Sequence, residues 1–335
     1  MAEAFNVLVS SAGRRVALVD TFRQALRELD LRGDVLATDI TRLSSAFHAA
    51  DRGFIVPPCA SPDFVPCVLE ICRANDVGLV VPTTDRELGA YAENRHRFLD
   101  LGVAVAVSSP EVVEIARDKR TTHEWLVGNG FPTMRQGTVE EALAHLDRWR
   151  FPLLVKPRNG SSSIGVALVG DRTELEVATR PRAEEFVVET VAEGDEYTID
   201  ILVNSRGKSV CAVPRRRIEV RAGESSKGVT VKSVRLEELA RRVVEALPGA
   251  WGPLTLQAFL EADSDEVSII EINPRFGGGF PLSWEAGAKY PKWLIEDVLG
   301  LASSASADSW MDGRVMLRYD EAVFVGADQM ERTGG

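Results

Sequence analysis

The sequence predicts a parallel α/β domain at the front of the chain and a strand-rich α+β region behind it. In the front part, strand-like and helix-like segments alternate, which is typical of a parallel sheet with helices on both faces. From residue 151 onward, strand-like runs follow one another closely, as they do in hairpins. A length of 335 residues exceeds one compact core of ordinary size, so we expect roughly two or three domains.

Strand-like runs and helical spacing define the front region. The strand-like runs are 6–11, 34–40, 54–58, 78–85 and 103–109, and apolar residues recur at helical spacing in 14–29 and 62–75. The turn SSAGRR (10–15) lacks G-x-G-x-x-G, so a tight strand–helix turn explains its glycine better than a dinucleotide site does. The segment TTDREL (83–88) follows a strand at the edge where open sheets bind ligands, although Thr84 or Asp85 would also serve as a helix N-cap. A further helix is expected to start at Ser109-Pro110.

Composition and charge exclude several classes of function. A net charge of −11 speaks against a general nucleic-acid role, and the longest apolar runs are too short to span a membrane. The N-terminus has no signal-peptide shape. The four cysteines show no CxxC pair and no zinc spacing, and so are expected to be reduced thiols. We therefore expect a cytoplasmic protein without a nucleic-acid or membrane partner.

The densest basic stretch is PRRRIEVR (214–221). In a strand, its alternation would place Arg215, Arg217, Glu219 and Arg221 on one side. Two interpretations remain open, a solvated strand edge and a local anion-binding patch inside an acidic protein.

A lysine followed by small residues forms the first motif with chemical meaning. In LLVKPRNGSSSIGV (153–166), a strand delivers Lys156 and a loop rich in glycine and serine follows. Small residues let backbone N–H groups approach an anion, and serine hydroxyls add donors. The order of residues differs from that of a P-loop, and a flexible hairpin turn is the alternative interpretation.

The segment EFVVETVAEGDEYTID (185–200) follows the Gly/Ser loop along the chain. A strand ends near Glu189, Thr190 and Val191, whose backbone could pair with an adenine edge, and Glu196 could hold a ribose. A hairpin with exposed acidic residues is the simpler explanation of this segment taken alone.

The stretch EINPRFGGG (271–279) closes a predicted hairpin with LTLQAFL (254–260). With the turn centred on Ser264, Gln257 faces Glu271 across the ladder, and Asn273 lies on the same face. Three oxygen donors with only one carboxylate suit Mg²⁺, which keeps waters and shares its shell with phosphates.

Taken in order along the chain, these motifs resemble the ATP-grasp superfamily. The resemblance rests on Lys119 in RDKRTT, Lys156 with its Gly/Ser loop, ETV with Glu196 beyond it, and LQAFL followed by EINPR. It looks closest to the carbamoyl-phosphate-synthetase-like branch of stand-alone carboxylate–amine ligases, in which glutamine is the first metal ligand. It implies a Rossmann-like pre-ATP-grasp domain at 1–108 and a two-lobed ATP-grasp fold, with a small lobe at 109–190 and a C-terminal lobe at 191–335.

The resemblance also implies roles for individual residues. Lys119 and Lys156 would contact ATP phosphates, and a loop containing Ser161, Ser162, Ser163 and Gly165 would close over them. Glu189, Thr190 and Val191 would form the adenine hinge, with Glu196 on the ribose. Gln257, Glu271 and Asn273 would hold magnesium, and Arg275 would face the acyl phosphate as the catalytic residue.

The glycines after Arg275 depart from relatives that use bicarbonate. In biotin carboxylases, a glutamate four residues beyond this arginine deprotonates bicarbonate, and here that position is Gly279. In carbamoyl phosphate synthetases, a second arginine lies three residues beyond, and here that position is Gly278. We therefore expect the glycines to make room for a larger acid and to offer it backbone N–H groups.

The expected activity is ATP-dependent ligation of an amino-acid-like carboxylic acid to an amine, with release of ADP and phosphate. The expected cofactors are ATP and Mg²⁺, with Mn²⁺ as an alternative metal. The expected partners are a small-molecule acid and amine, with the amine near the loops at 10–15 and 83–87; a homodimer is left open. Activation of bicarbonate or carbamate, and a non-catalytic ATP-binding regulator, are the alternatives.

Overall fold

The structure, a computed structural model, describes residues 4–160, 164–221 and 223–331. Within these ranges the chain forms a five-stranded, then a four-stranded and then a six-stranded sheet. The first sheet is parallel and the other two are antiparallel. The predicted fold class, a parallel front sheet followed by a two-lobed strand-rich region, is confirmed.

The front sheet carries helices on both faces. Its strands are β1 (Asn6–Ser10), β2 (Val35–Asp39), β3 (Arg52–Ile55), β4 (Val77–Pro82) and β5 (Ala104–Val105), and its helices are α1 (Val16–Glu28), α2 (Ser45–Ala49), α3 (Phe64–Ala74) and α4 (Asp85–Leu99). Val7 and Val9 of the central β1 belong to one hydrophobic core, and Leu8 belongs to another. The strand order β3-β2-β1-β4-β5 reverses between β1 and β4, so the loops after these two strands flank a crevice where such sheets bind ligands.

The four-stranded sheet forms a small lobe. Two helices, α5 (Pro110–Arg117) and α6 (Lys119–Gly128), lead into it, and its elements are β6 (Gln136–Thr138), α7 (Val139–Ala144), β7 (Leu153–Pro157), β8 (Ala167–Val169), α8 (Arg172–Thr179) and β9 (Phe186–Thr190). The strand order is β6-β9-β7-β8. The lobe has a small core of its own, in which Val155 and Val188 are fully buried.

The six-stranded sheet forms the C-terminal lobe. Its elements are β10 (Asp195–Val203), β11 (Ser209–Arg221), β12 (Glu224–Thr230), α9 (Val234–Ala246), β13 (Gly252–Leu260), β14 (Val267–Asn273), α10 (Phe280–Ala286), α11 (Tyr290–Leu299), β15 (Val315–Leu317) and α12 (Asp328–Glu331). The strand order is β14-β13-β10-β11-β12-β15. The predicted domain boundaries near 108 and 190 fall between the three sheets, and they stay a prediction.

The front domain packs against helices of the C-terminal lobe. Helix α1 contacts α10 and α11, and Phe22 meets Phe276 edge-to-face with ring centroids 5.9 Å apart. Both rings lie in a single core that also holds Trp284 and Trp293. Because Phe276 directly follows Arg275, this packing brings Arg275 to the carboxyl edge of the front sheet.

All five front strands are shorter than the sequence predicts, and three of them end early for an identifiable reason. Strand β3 ends at Ile55, before Pro57 and Pro58, because proline cannot donate a ladder hydrogen bond. Strand β4 ends at Pro82 because Thr84 caps α4 in a reciprocal capping box with Glu87. Strand β5 ends at Val105, and the residues after it lead into helix α5, for which Ser109 is the N-cap. Within the described ranges, no helix combines the length and apolarity that crossing a bilayer requires.

Candidate active site

The hairpin of β13 and β14 brings three oxygen-bearing side chains to one face. Gln257 pairs with Glu271 as predicted, and Asn273, two residues further along β14, pairs with Thr255. The turn is not centred on Ser264, because Leu260 pairs with Val267 and Ala258 pairs with Ile269. A β-bulge between the Ala258–Ile269 pair and the Gln257–Glu271 pair restores the predicted partners.

The Glu271 carboxylate has no hydrogen bond or ion pair with any of the described residues. Burial raises its pKa, the positive charge of Lys119 opposes that rise, and the nearby Asp85 carboxylate adds to it. A desolvated carboxylate of this kind requires a compensating cation. No group of three or more His, Cys, Asp or Glu side chains in the described chain could hold a metal ion. The Gln257, Glu271 and Asn273 set therefore fits Mg²⁺ shared with phosphate better than a metal bound by protein alone.

Arg275 is held between the β13–β14 hairpin and the front domain. Its Nη2 donates to Asp85 Oδ2 at 2.6 Å and to Asn273 Oδ1 at 3.3 Å. Asp85 is the first residue of α4, so this ion pair ties the C-terminal lobe to the front sheet. Arg275 Nε and Asp85 Oδ1 are buried and lack a hydrogen-bond partner in the described chain. These two atoms are available to a bound molecule.

The two predicted lysines approach the cleft from the small lobe. Lys156 on β7 is 6% exposed, and its Nζ lies 2.5 Å from Glu189 Oε2. Gln136 Nε2 donates to the other Glu189 oxygen at 2.7 Å. Lys119, at the start of α6, donates to Gly160 O at 3.0 Å, and burial lowers the pKa of its ammonium. Both lysines therefore lie in one cleft although 37 positions of sequence separate them.

The predicted adenine hinge lies at the end of β9. Glu189 pairs with Gln136 on one side and Leu154 on the other, so its backbone is within the sheet. Its side chain is committed to Lys156, which the sequence did not indicate. Thr190 N donates to Arg135 O at 3.1 Å, and Val191, beyond the strand, is 41% exposed. Of the three, Val191 has the most accessible position for a ligand.

The predicted ribose carboxylate of Glu196 already has a partner. Arg217 Nη1 lies 2.6 Å from Glu196 Oε1 and also donates to Gln257 Oε1 at 3.4 Å. Arg217 Nη2 donates to Gly223 O at 2.9 Å. Arg217 therefore links the predicted ribose and metal residues.

The predicted phosphate loop is described only at its ends. Ser161, Ser162 and Ser163 lie outside the described residues. Gly160 has a φ of +136° and Gly165 a φ of +77°, both conformations that L side chains rarely adopt. A glycine at each end of the loop is thus required by the backbone.

Two cavities meet at the β13–β14 hairpin. The front cavity, about 620 Å³, lies between the front domain and the C-terminal lobe, and the lobe cavity, about 370 Å³, lies between the two lobes. Gln257, Glu271 and Arg217 line both cavities. The lysines line only the lobe cavity. The front cavity takes in both front loops named in the sequence analysis, and residues that line it but not the lobe cavity include Ser11, Arg15, Thr83, Thr84, Asp85, Arg86 and Arg275.

The glycines after Arg275 accommodate two side chains of the C-terminal lobe. A Cβ at Gly278 would clash with the Glu224 carboxylate, and one at Gly279 would clash with the Arg215 guanidinium. Arg215 is 2% exposed and bonds to Asp200 at 2.6 Å and 2.9 Å. The expected room for a larger acid is thus bounded by a carboxylate and a guanidinium.

Several cavity residues were not among the predicted site residues. Strand β11 lies inside its sheet, so the solvated-edge interpretation is wrong for Arg215 and Arg217, which face the cleft. Their alternation in PRRRIEVR was the available signal. Arg15 and Asp85 lie on the two front loops that the sequence placed near the amine, although neither was singled out as a site residue, and Glu224 carried no signal because long-range packing brings it to the cavity.

Sequence profiles of two known domain families match this chain. The profile described as PylC-like, N-terminal domain matches residues 7–106, and the ATP-grasp domain profile matches residues 116–279. D-alanine–D-alanine ligase of Bacillus cytotoxicus is 32% identical over 185 residues, which cover 49% of this chain and 49% of that protein. The carbamoyl phosphate synthase large chain of Methanosphaerula palustris is 24% identical over 287 residues, which cover 75% of this chain and 25% of that protein. The chain thus spans half or less of the length of these curated relatives.

A solved structure shows the same fold. The biotin carboxylase domain dimer of Hydrogenobacter thermophilus 2-oxoglutarate carboxylase, in complex with MgADP, ADP and bicarbonate, has a TM-score of 0.73 at 16% identity. The alignment covers 93% of this chain and 74% of that one. The profile matches, the curated relatives and this shared architecture agree with the arrangement of the cleft. The chain belongs to the ATP-grasp superfamily.

Proposed function

We propose that this protein is an ADP-forming ligase that joins the carboxylate of an amino-acid-like molecule to the amine of another. The observation that carries the proposal is the position of Arg275. It follows the end of β14 by two residues, donates to Asn273 Oδ1 and lines the front cavity, whereas Lys119 and Lys156 line the lobe cavity and Glu271 lines both. A guanidinium placed there can receive the reacting carboxylate while the lysines receive ATP phosphates.

The proposed reaction has two steps. A carboxylate oxygen of the acid attacks the γ-phosphorus of ATP, and the bond to the bridging oxygen breaks, giving an acyl phosphate and ADP. The amine nitrogen then attacks the acyl carbon, phosphate leaves and the nitrogen loses a proton. Phosphoryl transfer depends mainly on positioning and charge neutralisation.

The side chains divide these tasks. Lys119 and Lys156 neutralise phosphate charge, and the buried Glu189 holds Lys156 in place. The planar fork of Arg275 suits a carboxylate before transfer and an acyl phosphate afterwards. Gln257, Glu271 and Asn273 would hold Mg²⁺, which when bound neutralises charge on the transferring phosphoryl group.

The nucleotide assignments belong to the same proposal. Val191 would contact the adenine at the end of β9, with Glu189 and Thr190 before it. Glu196 would hold the ribose, with its carboxylate kept in place by Arg217. Gly165 would remain at one end of the phosphate loop.

Trapping the activated acid tests the proposal. The protein with Mg·ATP is given single organic acids, including the common amino acids, and hydroxylamine as the amine. We expect both ADP and a hydroxamate with at least one amino acid. ADP formed only with bicarbonate would support the carboxylating alternative. ATP binding without ADP formation from any acid would support the regulator.

The bicarbonate arm is included because of one observation. The Glu224 carboxylate and the Arg215 guanidinium lie beside Gly278 and Gly279, where the bicarbonate-using relatives carry charged residues. Charged groups from β11 and β12 therefore lie at these positions with the opposite signs, because Glu224 lies where the synthetases have arginine and Arg215 where the carboxylases have glutamate. A homodimer is a further part of the proposal, since the solved neighbour is described as a dimer, and sedimentation measures it.

A further inference from the structure

Arg15 is a cation of the front cavity without a direct partner. It is half-buried at the loop between β1 and α1, and its side chain makes no hydrogen bond or ion pair with any residue that the structure describes. Burial, and next the positive charge of Arg275, lower the pKa of its guanidinium to about 10, so it stays charged at neutral pH. A desolvated guanidinium without a counter-ion is unfavourable unless a ligand supplies the anion.

The carboxylates near Arg15 are each occupied elsewhere. Glu224, Asp85 and Glu87 act on Arg15 through space. Glu224 pairs with Arg318 at 2.9 Å and Asp85 with Arg275 at 2.6 Å. Glu87 accepts hydrogen bonds from serine hydroxyls and backbone N–H groups of the two front loops, at 2.6 to 3.0 Å. The protein therefore places three carboxylates near Arg15 but commits each of them to other partners, which leaves the guanidinium fork free.

The location of Arg15 separates it from the nucleotide. Arg15 lines the front cavity but not the lobe cavity, whereas Lys119 and Lys156 line the lobe cavity but not the front cavity. The charge of Arg275 is the second-largest influence on the pKa of Arg15, so the two guanidinium groups act at neighbouring points. Arg15 also stands at the N-terminus of the 13-residue α1, whose dipole favours an anion at the same place.

We propose that Arg15 binds a substrate carboxylate other than the one that is activated. This inference rests on the proposed ligase function and deepens it, because at least one substrate must then carry a non-reacting carboxylate. Two sources share this chemistry. They are the free α-carboxylate of an amino acid that acts as the amine donor, and the second carboxylate of a dicarboxylic acid.

Binding measurements test the assignment without requiring turnover. The protein saturated with Mg·ADP is titrated calorimetrically with the common amino acids and small dicarboxylic acids, and then with the matching amino-acid amides and half-amides. We expect wild type to bind at least one carboxylate at millimolar concentration or below, and its amide roughly tenfold to hundredfold more weakly, as for a lost charge-assisted pair. Preference for an amino acid or for a dicarboxylate identifies the source.

Variants of one loop provide the controls. Arg15→Gln should bind acid and amide equally, Arg15→Lys should recover part of the preference, and the exposed neighbour in Arg14→Gln should behave like wild type. Mg·ADP affinity should be unchanged in all three. Arg15 is assigned wrongly if wild type binds no acid of the panel, if it binds acids and amides equally, or if Arg15→Gln keeps the preference. A matching loss of Mg·ADP affinity would instead make Arg15 a nucleotide ligand. Hydroxamate formation by wild type reports separately on the ligase function.

Discussion

Glu271 lies opposite Gln257 because Ile270 is an extra residue in strand β14. On the turn side of this bulge Ala258 pairs with Ile269, and a regular ladder would place Ile270 opposite Gln257. A slip of one residue turns every later side chain to the other face of a strand. The bulge therefore keeps Ile269 and Ile272 in the core while Glu271 faces the cleft.

Glu271→Gln should abolish ATP turnover and leave the fold intact. The change removes the only carboxylate of the proposed metal set but keeps its shape and an amide oxygen. ADP release and thermal unfolding measure the two effects. Glu266→Gln, in the exposed turn of the same hairpin, is the matched control and should retain activity. A folded Glu271→Gln protein with undiminished ADP release would contradict the metal assignment.

The pKa of Glu271 predicts how stability without metal depends on pH. Because burial raises it above 4.5, the folded protein holds this proton more tightly than the unfolded chain. Wild type should therefore lose stability relative to Glu271→Gln as the pH rises from below 4.5 through the raised pKa. Glu87, whose pKa burial also raises, titrates in both proteins and cancels in the difference. Urea unfolding at several pH values measures this difference, and a constant difference would show that Glu271 titrates normally.

Metal binding should show the opposite pH dependence. A divalent cation binds the ionised carboxylate, so Mg·ATP affinity should increase as the pH rises through the pKa of Glu271 and then level off. Lys119, Lys156, Arg275 and Asp85 also influence the pKa of this carboxylate. Calorimetric titration of wild type and Glu271→Gln with Mg·ATP compares the two profiles. Identical profiles would place the metal elsewhere.

Arg275→Lys should leave ATP affinity nearly unchanged and slow ligation by roughly 10²–10³, the loss of one transition-state charge contact. Lysine keeps the charge but loses the fork and its contacts with Asp85 and Asn273. Hydroxamate yield and nucleotide titration measure the two quantities. Asp85→Asn serves as a companion variant, because it removes the ion pair but keeps the guanidinium. Equal losses of ATP binding and ligation in Arg275→Lys would make Arg275 a nucleotide ligand.

Glu189→Gln should destabilise the small lobe and weaken ATP binding. Lys156 and Glu189 have side-chain exposures of 7% and 5%, and removing one charge leaves the other buried and unpaired. Breaking such a pair destabilises a protein by about 3–5 kcal/mol. Urea unfolding measures the loss. Glu185→Gln, just before the same strand and exposed, is the control; if it lowers stability equally, the ion pair has no special role.

Gly279→Ala should reduce stability by about 1–3 kcal/mol through overpacking. Its φ of −88° suits alanine, so the strain is steric and comes from the Arg215 guanidinium, which Asp200 holds in place. Gly89→Ala is the matched control, because nothing lies within 4 Å of its added Cβ on helix α4. It should be neutral or stabilising. Thermal unfolding compares both variants with wild type.

Local sequence was sufficient to predict the strands and the hairpin, but not the contacts of several site residues. Gln257 and Glu271 belong to adjacent strands joined by a short turn, and counting from Ser264 gave the right pair only because the bulge at Ile270 compensates for a turn centred elsewhere. Glu189 was interpreted as part of an adenine hinge, yet its side chain pairs with Lys156 on a neighbouring strand. In the sequence, Lys156 and Glu189 are each the first polar residue after an apolar run of a strand pattern. That their two strands are neighbours is decided only when the sheet is assembled.

The sequence by itself determined the parallel front sheet, the strand-rich region behind it and the polar face of EINPR, because alternation and turn residues act over a few positions. Only the tertiary structure decided which front-domain side chains meet that face. Asp85 and Arg275 are 190 positions apart, and they meet because α1 buries Phe22 against Phe276 in a core shared by both domains. Apolar burial of this kind has no direction, so the helical spacing of α1 shows that one face is buried but not which residues it is buried against.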